Sequence, residues 1–148
     1  SNTMARKFAQ GKFYPRNPDK YLGNRTPTYR SSWEWAFMNF CDNNDAVLQW
    51  ASEAVRIPYR NPFTGQQTIY VPDFFILYTD RNGKKNAELI EIKPKKQTSV
   101  LNAGRSKKDQ ASAVLNAAKW EAANAYAKQN RIRFRIVTEE ELFHQGKK

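Results

Sequence analysis

Val71-Pro72-Asp73-Phe74-Phe75-Ile76-Leu77-Tyr78 and Leu89-Ile90-Glu91-Ile92-Lys93-Pro94 are the two stretches that decide how this chain folds. Both are rich in β-branched and aromatic residues and so read as strands, yet each carries charge where a buried strand favours none. Between them, Asp80-Arg81-Asn82-Gly83 has the turn chemistry of a hairpin, which pairs the two segments antiparallel and brings Asp73 into the neighbourhood of Glu91. Side chains alternate along a strand, so Glu91 and Lys93 share a face. The pattern predicts a pocket with two carboxylates and one ammonium group. Pro94, which has no backbone N–H, ends the second strand.

Upstream, Trp33, Ala36, Phe37, Phe40 and Cys41 fall at helical spacing on one face, and Asp42-Asn43-Asn44-Asp45 stops that helix. Val47 to Tyr59 reads as an extended segment, Asn61-Pro62-Phe63-Thr64-Gly65 as a turn, and Thr68 to Tyr78 as one strand. Asn86 to Lys93 is the returning strand, followed by a basic irregular stretch from Lys95 to Arg105. Ala111, Val114, Leu115, Ala118, Ala122 and Ala125 then mark the face of a long helix of about five turns that ends near Asn130. Arg131 to Val137 alternates basic and apolar residues as a half-buried strand, and Thr138-Glu139-Glu140-Glu141 opens a short helix with a capping box. The order α-β-β-β-α-β predicts an α/β fold: a mixed four-stranded sheet flanked by helices, the first on one face and the long one on the other.

The chain has 148 residues, enough for one domain, and 40% are hydrophobic, including 9 Phe, 7 Tyr and 4 Trp. One cysteine and one histidine rule out a disulfide framework and the usual structural zinc sites. The longest apolar runs are far shorter than the roughly 20 residues a membrane span needs, so no membrane partner is expected. Against 14 acidic residues stand 25 lysines and arginines, a formal charge of +11 that calls for a polyanionic partner, with nucleic acid the leading candidate. Residues 1–3 ahead of Met4 read as the remnant of a tag. Residues 4–28 carry Arg6, Lys7, Lys12, Arg16, Lys20 and Arg25 without apolar periodicity and read as an extended basic arm. Residues 29–148 are the expected domain.

Two carboxylates beside a lysine suit metal-assisted phosphodiester hydrolysis. Mg²⁺ takes oxygen ligands and is held by one or two carboxylates plus phosphate oxygens and waters, and Mn²⁺ is an expected substitute. Asp73 and Glu91 supply the carboxylates, the Ile92 backbone carbonyl a further oxygen, and Lys93 a group to orient or deprotonate water and to offset phosphorane charge. The chain contains no Gly-x-x-x-x-Gly-Lys-Ser/Thr loop, so no nucleotide cofactor is expected.

Pro72-Asp73 followed by Glu91-Ile92-Lys93 resembles the PD-(D/E)xK motif of the restriction-endonuclease-like nucleases. Tyr29-Arg30-Ser31-Ser32-Trp33-Glu34 is similar to the helix that carries their additional glutamate, and Ile136-Val137-Thr138-Glu139 to the TnsA-type branch, which cleaves transposon ends. From Met4-Ala5-Arg6-Lys7 through Glu91-Ile92-Lys93-Pro94-Lys95-Lys96-Gln97-Thr98 and Ala118-Lys119-Trp120 to Thr138-Glu139, the chain resembles the head-completion nucleases of myovirus-like tailed phages. The resemblance implies a restriction-endonuclease-like core and a metal-dependent DNA endonuclease used late in capsid assembly. It also implies Glu34 as a further catalytic carboxylate and candidate metal ligand. The implied setting is the host cytoplasm during assembly, or the virion head or neck, with portal or neck proteins as partners. Arg30, Lys95, Lys96, Lys107, Lys108 and Gln110 are the candidate DNA contacts.

Blander readings stand beside these. Ser31 and Glu34 form a capping box regardless of catalysis. Glu91 and Lys93 would also make a surface ion pair of little worth. Cys41 and three tryptophans, Trp33, Trp50 and Trp120, read as core, and Trp35 as an exposed contact; His144 has no evident role. A non-catalytic DNA-binding or portal-plug protein, or a transposition or repair nuclease of the same fold, are the functional rivals.

Overall fold

The structure is a computed structural model that describes residues 10–98, 104 and 106–144, with side chains as far as residue 142. In chain order its elements are β1 (Gly11–Lys12), β2 (Thr28–Tyr29), α1 (Ser32–Asn43), β3 (Val47–Ser52), β4 (Ile57–Arg60), β5 (Gln67–Tyr70), β6 (Phe74–Thr79), β7 (Lys85–Ile92), α2 (Lys107–Gln129), β8 (Arg133–Val137) and α3 (Glu139–His144). Single 3-10 turns occupy Pro18–Lys20 and Lys95–Gln97.

The main sheet has four strands in the order β3-β6-β7-β8. β3 and β7 each pair antiparallel with β6, while β7 and β8 are parallel, a connection that needs the crossover supplied by α2. The expected mixed four-stranded sheet is therefore present. Alternation divides its side chains between two cores. Phe74, Ile76, Ile90 and Ile92 pack with Phe37, Met38 and Cys41 of α1, whereas Phe75 and Leu89 pack with Trp120 and Ala123 of α2. The Cys41 thiol is fully buried, and burial pushes its pKa far above the ordinary thiol range.

Two expected strands prove to be four. The segment from Val47 to Tyr59 breaks after Ser52, where Glu53 takes the left-handed conformation at φ 52° and sends the chain out of the main sheet. The segment from Thr68 to Tyr78 breaks at Val71-Pro72-Asp73, where Pro72 has no N–H for a ladder. The released halves, β4 and β5, pair with each other as a separate hairpin. Its tip is tied by the Asn61 side chain, which accepts from the N–H groups of Phe63 and Thr64 at 2.8 and 3.2 Å, and by Gly65 at φ 73°.

The division at residue 28 is also corrected. The start of the basic arm and the tag remnant lie outside the described residues, but residues 10–28 are folded onto the body. Phe13 is buried against Trp50, and the buried Asp42 carboxylate accepts from the backbone N–H groups of Arg16 and Asn17 at 2.8 and 3.0 Å. One aromatic and one buried acceptor outweigh the arm's poor periodicity. The expected α2 is present with a different buried face: Ala113, Asn116, Trp120, Ala123 and Ala127.

Candidate active site

β6 and β7 pair as far as Phe74 opposite Ile90 and then part, and the predicted carboxylates stand at the fork. The Ile92 N–H donates to Asp73 Oδ2 at 2.7 Å, and the Asp73 N–H donates to Glu91 Oε1 at 3.3 Å. These reciprocal bonds fix both side chains to the partner strand's backbone. A third tie, from the Glu53 N–H to the Asp73 carbonyl at 2.9 Å, secures the chain where β5 turns into β6. Lys93 is on the Glu91 face as expected, with Nζ 3.9 Å from Glu91 Oε2.

Compensation at this fork is incomplete. Burial pushes the Asp73 carboxyl up to about 8, with the neighbouring Glu91 and then Glu34 adding to the rise against the Ile92 N–H and Lys93. Glu91 is also raised by burial, opposed by the Tyr70 hydroxyl, Lys93, the Asp73 N–H and Lys119. Two like charges at close quarters do not ionise together readily, so the pair favours either a shared proton or a cation.

Glu34 fulfils its capping reading. Its N–H donates to Ser31 Oγ at 3.1 Å, and its Oε1 accepts from the Arg30 N–H at 3.2 Å. Burial raises its carboxyl, with Glu53 and Glu91 contributing, so it stands within electrostatic reach of the fork. Among the described residues, however, no three Asp, Glu, His or Cys side chains form a group that could hold a metal ion. Asp73 and Glu91 form the close pair, and Glu34 approaches it from α1.

The expected DNA contacts separate. Arg30 is ion-paired with Glu53. Lys95 is engaged with α3, its N–H donating to Glu139 at 2.8 Å and its Nζ pairing with Glu140 at 2.9 Å. Gln110 Nε2 donates to the Gly104 carbonyl at 2.8 Å, and Lys107 is exposed in the first turn of α2. Lys96 and Lys108 alone among the six converge, on a cavity of about 420 Å³ between the Lys95–Gln97 turn and α2.

Three side chains beside Glu91 escaped the sequence reading. Tyr70 and Trp120 are only 5% and 8% exposed, and neither the Tyr70 hydroxyl nor Trp120 Nε1 has a hydrogen-bond partner among the described residues. The hydroxyl faces Glu91 and the Trp120 indole without reaching hydrogen-bond geometry. Lys119 Nζ lies 5.8 Å from the centre of the Tyr70 ring. Trp120 read as packing, and Tyr70 lay inside an expected continuous strand; the approach of Tyr70 and Lys119 to Glu91 is what gives this corner meaning.

A mixed sheet that presents two carboxylates and a lysine where its central strands fork defines a restriction-endonuclease-like nuclease. Residues 44–139 match the family described as TnsA-like endonuclease N terminal, and the chain belongs to that family of DNA endonucleases. It is also similar to the head completion nuclease of Enterobacteria phage T4, being 35% identical over 142 residues, 89% of this chain and 92% of that protein. Among the described residues no helix is long and apolar enough to cross a membrane.

Proposed function

We propose that the chain is a Mg²⁺-dependent endonuclease that cuts double-stranded DNA during phage head completion, in the host cytoplasm or at the assembling head or neck. The observation that carries this reading is the buried, under-compensated pair Asp73 and Glu91. The donor set fits a hard divalent cation: Asp73 Oδ1 and Glu91 Oε2 are not used by the reciprocal backbone bonds, and the Ile92 carbonyl adds a neutral oxygen. A bound cation supplies Lewis-acid polarisation of the phosphate and a more acidic water, and Mn²⁺ would serve in its place.

The chain's own groups do the rest. The Ile92 and Asp73 N–H groups hold the carboxylates in place before substrate arrives. The Lys93 ammonium orients the attacking water and opposes the charge that grows on the phosphate oxygens. Glu34 adds a third carboxylate within electrostatic reach of the pair, and Lys96 and Lys108 take backbone phosphates. Similarity along nearly the whole length of a head completion nuclease favours that role over transposition, with portal or neck proteins as partners. The decisive test is nicking of supercoiled plasmid by the purified chain with Mg²⁺ and with EDTA, alongside Asp73→Asn. Metal-independent cutting, or full activity of the variant, would refute the assignment.

A further inference from the structure

A groove of about 650 Å³ lies between residues 21–28 and the end of β3 with the chain just beyond it, residues 51–54. Its N-terminal wall is pinned at both ends. The Leu22 N–H donates to the Trp50 carbonyl at 2.9 Å and the Ser52 N–H to the Tyr21 hydroxyl at 3.3 Å, while the Phe13 N–H donates to the Pro27 carbonyl at 2.9 Å and Lys12 pairs with Thr28. A segment that its charges marked as a loose arm is thus a fixed wall.

Hydrogen bonds tie this groove to the fork. Glu53, which lines it, donates its N–H to the Asp73 carbonyl at 2.9 Å, and Arg30, which also lines it, donates its N–H to Glu34 Oε1 at 3.2 Å. The Arg30 guanidinium is held charged by Glu53 first, with the fields of Glu34 and Asp73 adding to the effect.

Charge in the groove is one-sided. Three cations, Lys12, Arg25 and Arg30, line it against the single carboxylate of Glu53, which Arg30 already occupies. Lys12 and Arg25 are exposed and make no ion pair among the described residues. Residues 10–28 contain one acid, Asp19, and it does not line the groove. Asn24 and Thr26 add neutral donors of the kind that contact nucleic-acid phosphates. A phosphate approaching Asp73 and Glu91 meets like charge, and two uncommitted cations beside the fork offset that repulsion.

Resting on the reading of the chain as a DNA endonuclease, we propose that this groove is the track for the phosphodiester backbone of the DNA strand that leads to Asp73, with Lys12 and Arg25 each neutralising one phosphate. The folded part of the N-terminal segment is therefore a wall of the DNA-binding surface.

The test is binding of the full chain, in EDTA, to a short labelled duplex across a salt series. Each neutralised phosphate contributes a slope of about 0.9 in log affinity against log salt, so Lys12→Gln with Arg25→Gln flattens the slope by nearly two and weakens binding roughly tenfold at low salt, with Tm unchanged. Arg81→Gln with Lys85→Gln removes the same charge at the opposite end of the β6–β7 pair and leaves the slope as it was. That end is about 17 Å of strand from the fork, beyond the Debye length of about 8 Å at physiological salt. A slope unchanged by the groove variant, or an equal loss in the Arg81 and Lys85 variant, overturns the track. Displacement of the duplex by inorganic phosphate as readily as by unlabelled duplex overturns the strand assignment in favour of a free anion. Metal-dependent plasmid nicking together with an unchanged slope removes the track and leaves the nuclease. A flattened slope in a protein that never nicks does the reverse.

Discussion

Glu88 and Glu91 lie on the same strand, three residues apart, and both are buried, at 3% and 7% exposure. Glu88 is fully answered: Tyr78 donates to it at 2.7 Å, and Arg135 at 2.9 Å, with Arg135 held in turn by Glu141. Glu91 faces another carboxylate, and its nearest cation is 3.9 Å away. A buried acid with a hydrogen-bonded arginine is a structural group, since its charge is neutralised by the fold itself. A buried acid paired with a second acid leaves charge for something else to neutralise, and at this fork that is a cation.

The contrast is open to experiment, beginning with the largest effect. Glu91→Gln is expected to lose at least about a thousandfold in nicking rate while keeping or raising Tm, because it removes charge from an over-charged site. A fall in Tm like that of a disrupted Glu88 would erase the distinction. Lys93→Ala is expected to lower kcat about a hundredfold with DNA affinity retained, measured by single-turnover cleavage beside a binding titration. An unchanged rate with weakened affinity would make Lys93 a phosphate anchor. Arg135→Met strands Glu88 without a cation and is expected to cost about 2 kcal/mol in urea unfolding, the exposure of Arg135 keeping the loss below that of a fully buried pair, while cleavage persists.

A smaller effect concerns pH. In the absence of divalent ions the folded chain keeps a proton on Asp73 that the unfolded chain gives up near pH 4, so it binds more protons between there and about 8. Stability from this group is complete below that window and declines as pH rises through it. Asp73→Asn should flatten the decline in Tm, and a slope equal to the wild type's would place the titration elsewhere. The smallest change is Tyr70→Phe. Losing a buried hydroxyl without a partner should leave Tm level or slightly higher and reduce kcat severalfold as Glu91 loses a facing dipole, whereas a kcat equal to the wild type's would reduce Tyr70 to packing.

The hairpin and its two carboxylates were legible because a period of two, a turn signal and charges inside apolar runs are all local. What escaped was set at a distance. No local pattern says that Arg30 is taken by Glu53, or Lys95 by Glu140, across gaps of 23 and 45 residues. The α2 face was misread because eight of its residues are alanine, spread around the helix, so that one deeply seated Trp120 sets the orientation. Pro72 announced a strand boundary, but the apolar run on either side of it concealed that β5 leaves the sheet. That departure carries Tyr70 to Glu91. The N-terminal segment was read from its charges, whereas Phe13 and the acceptors of Asp42 decide where it lies.

The single cysteine has a practical consequence. Cys41 is sealed in the α1 core with its thiol held in the protonated, unreactive form. A second cysteine introduced at exposed Ser112 or at Lys96 would be the only thiol open to maleimide in the native state. The wild-type chain is thus already a background for site-specific labelling, and a fluorophore at either position leaves every native side chain of the core in place.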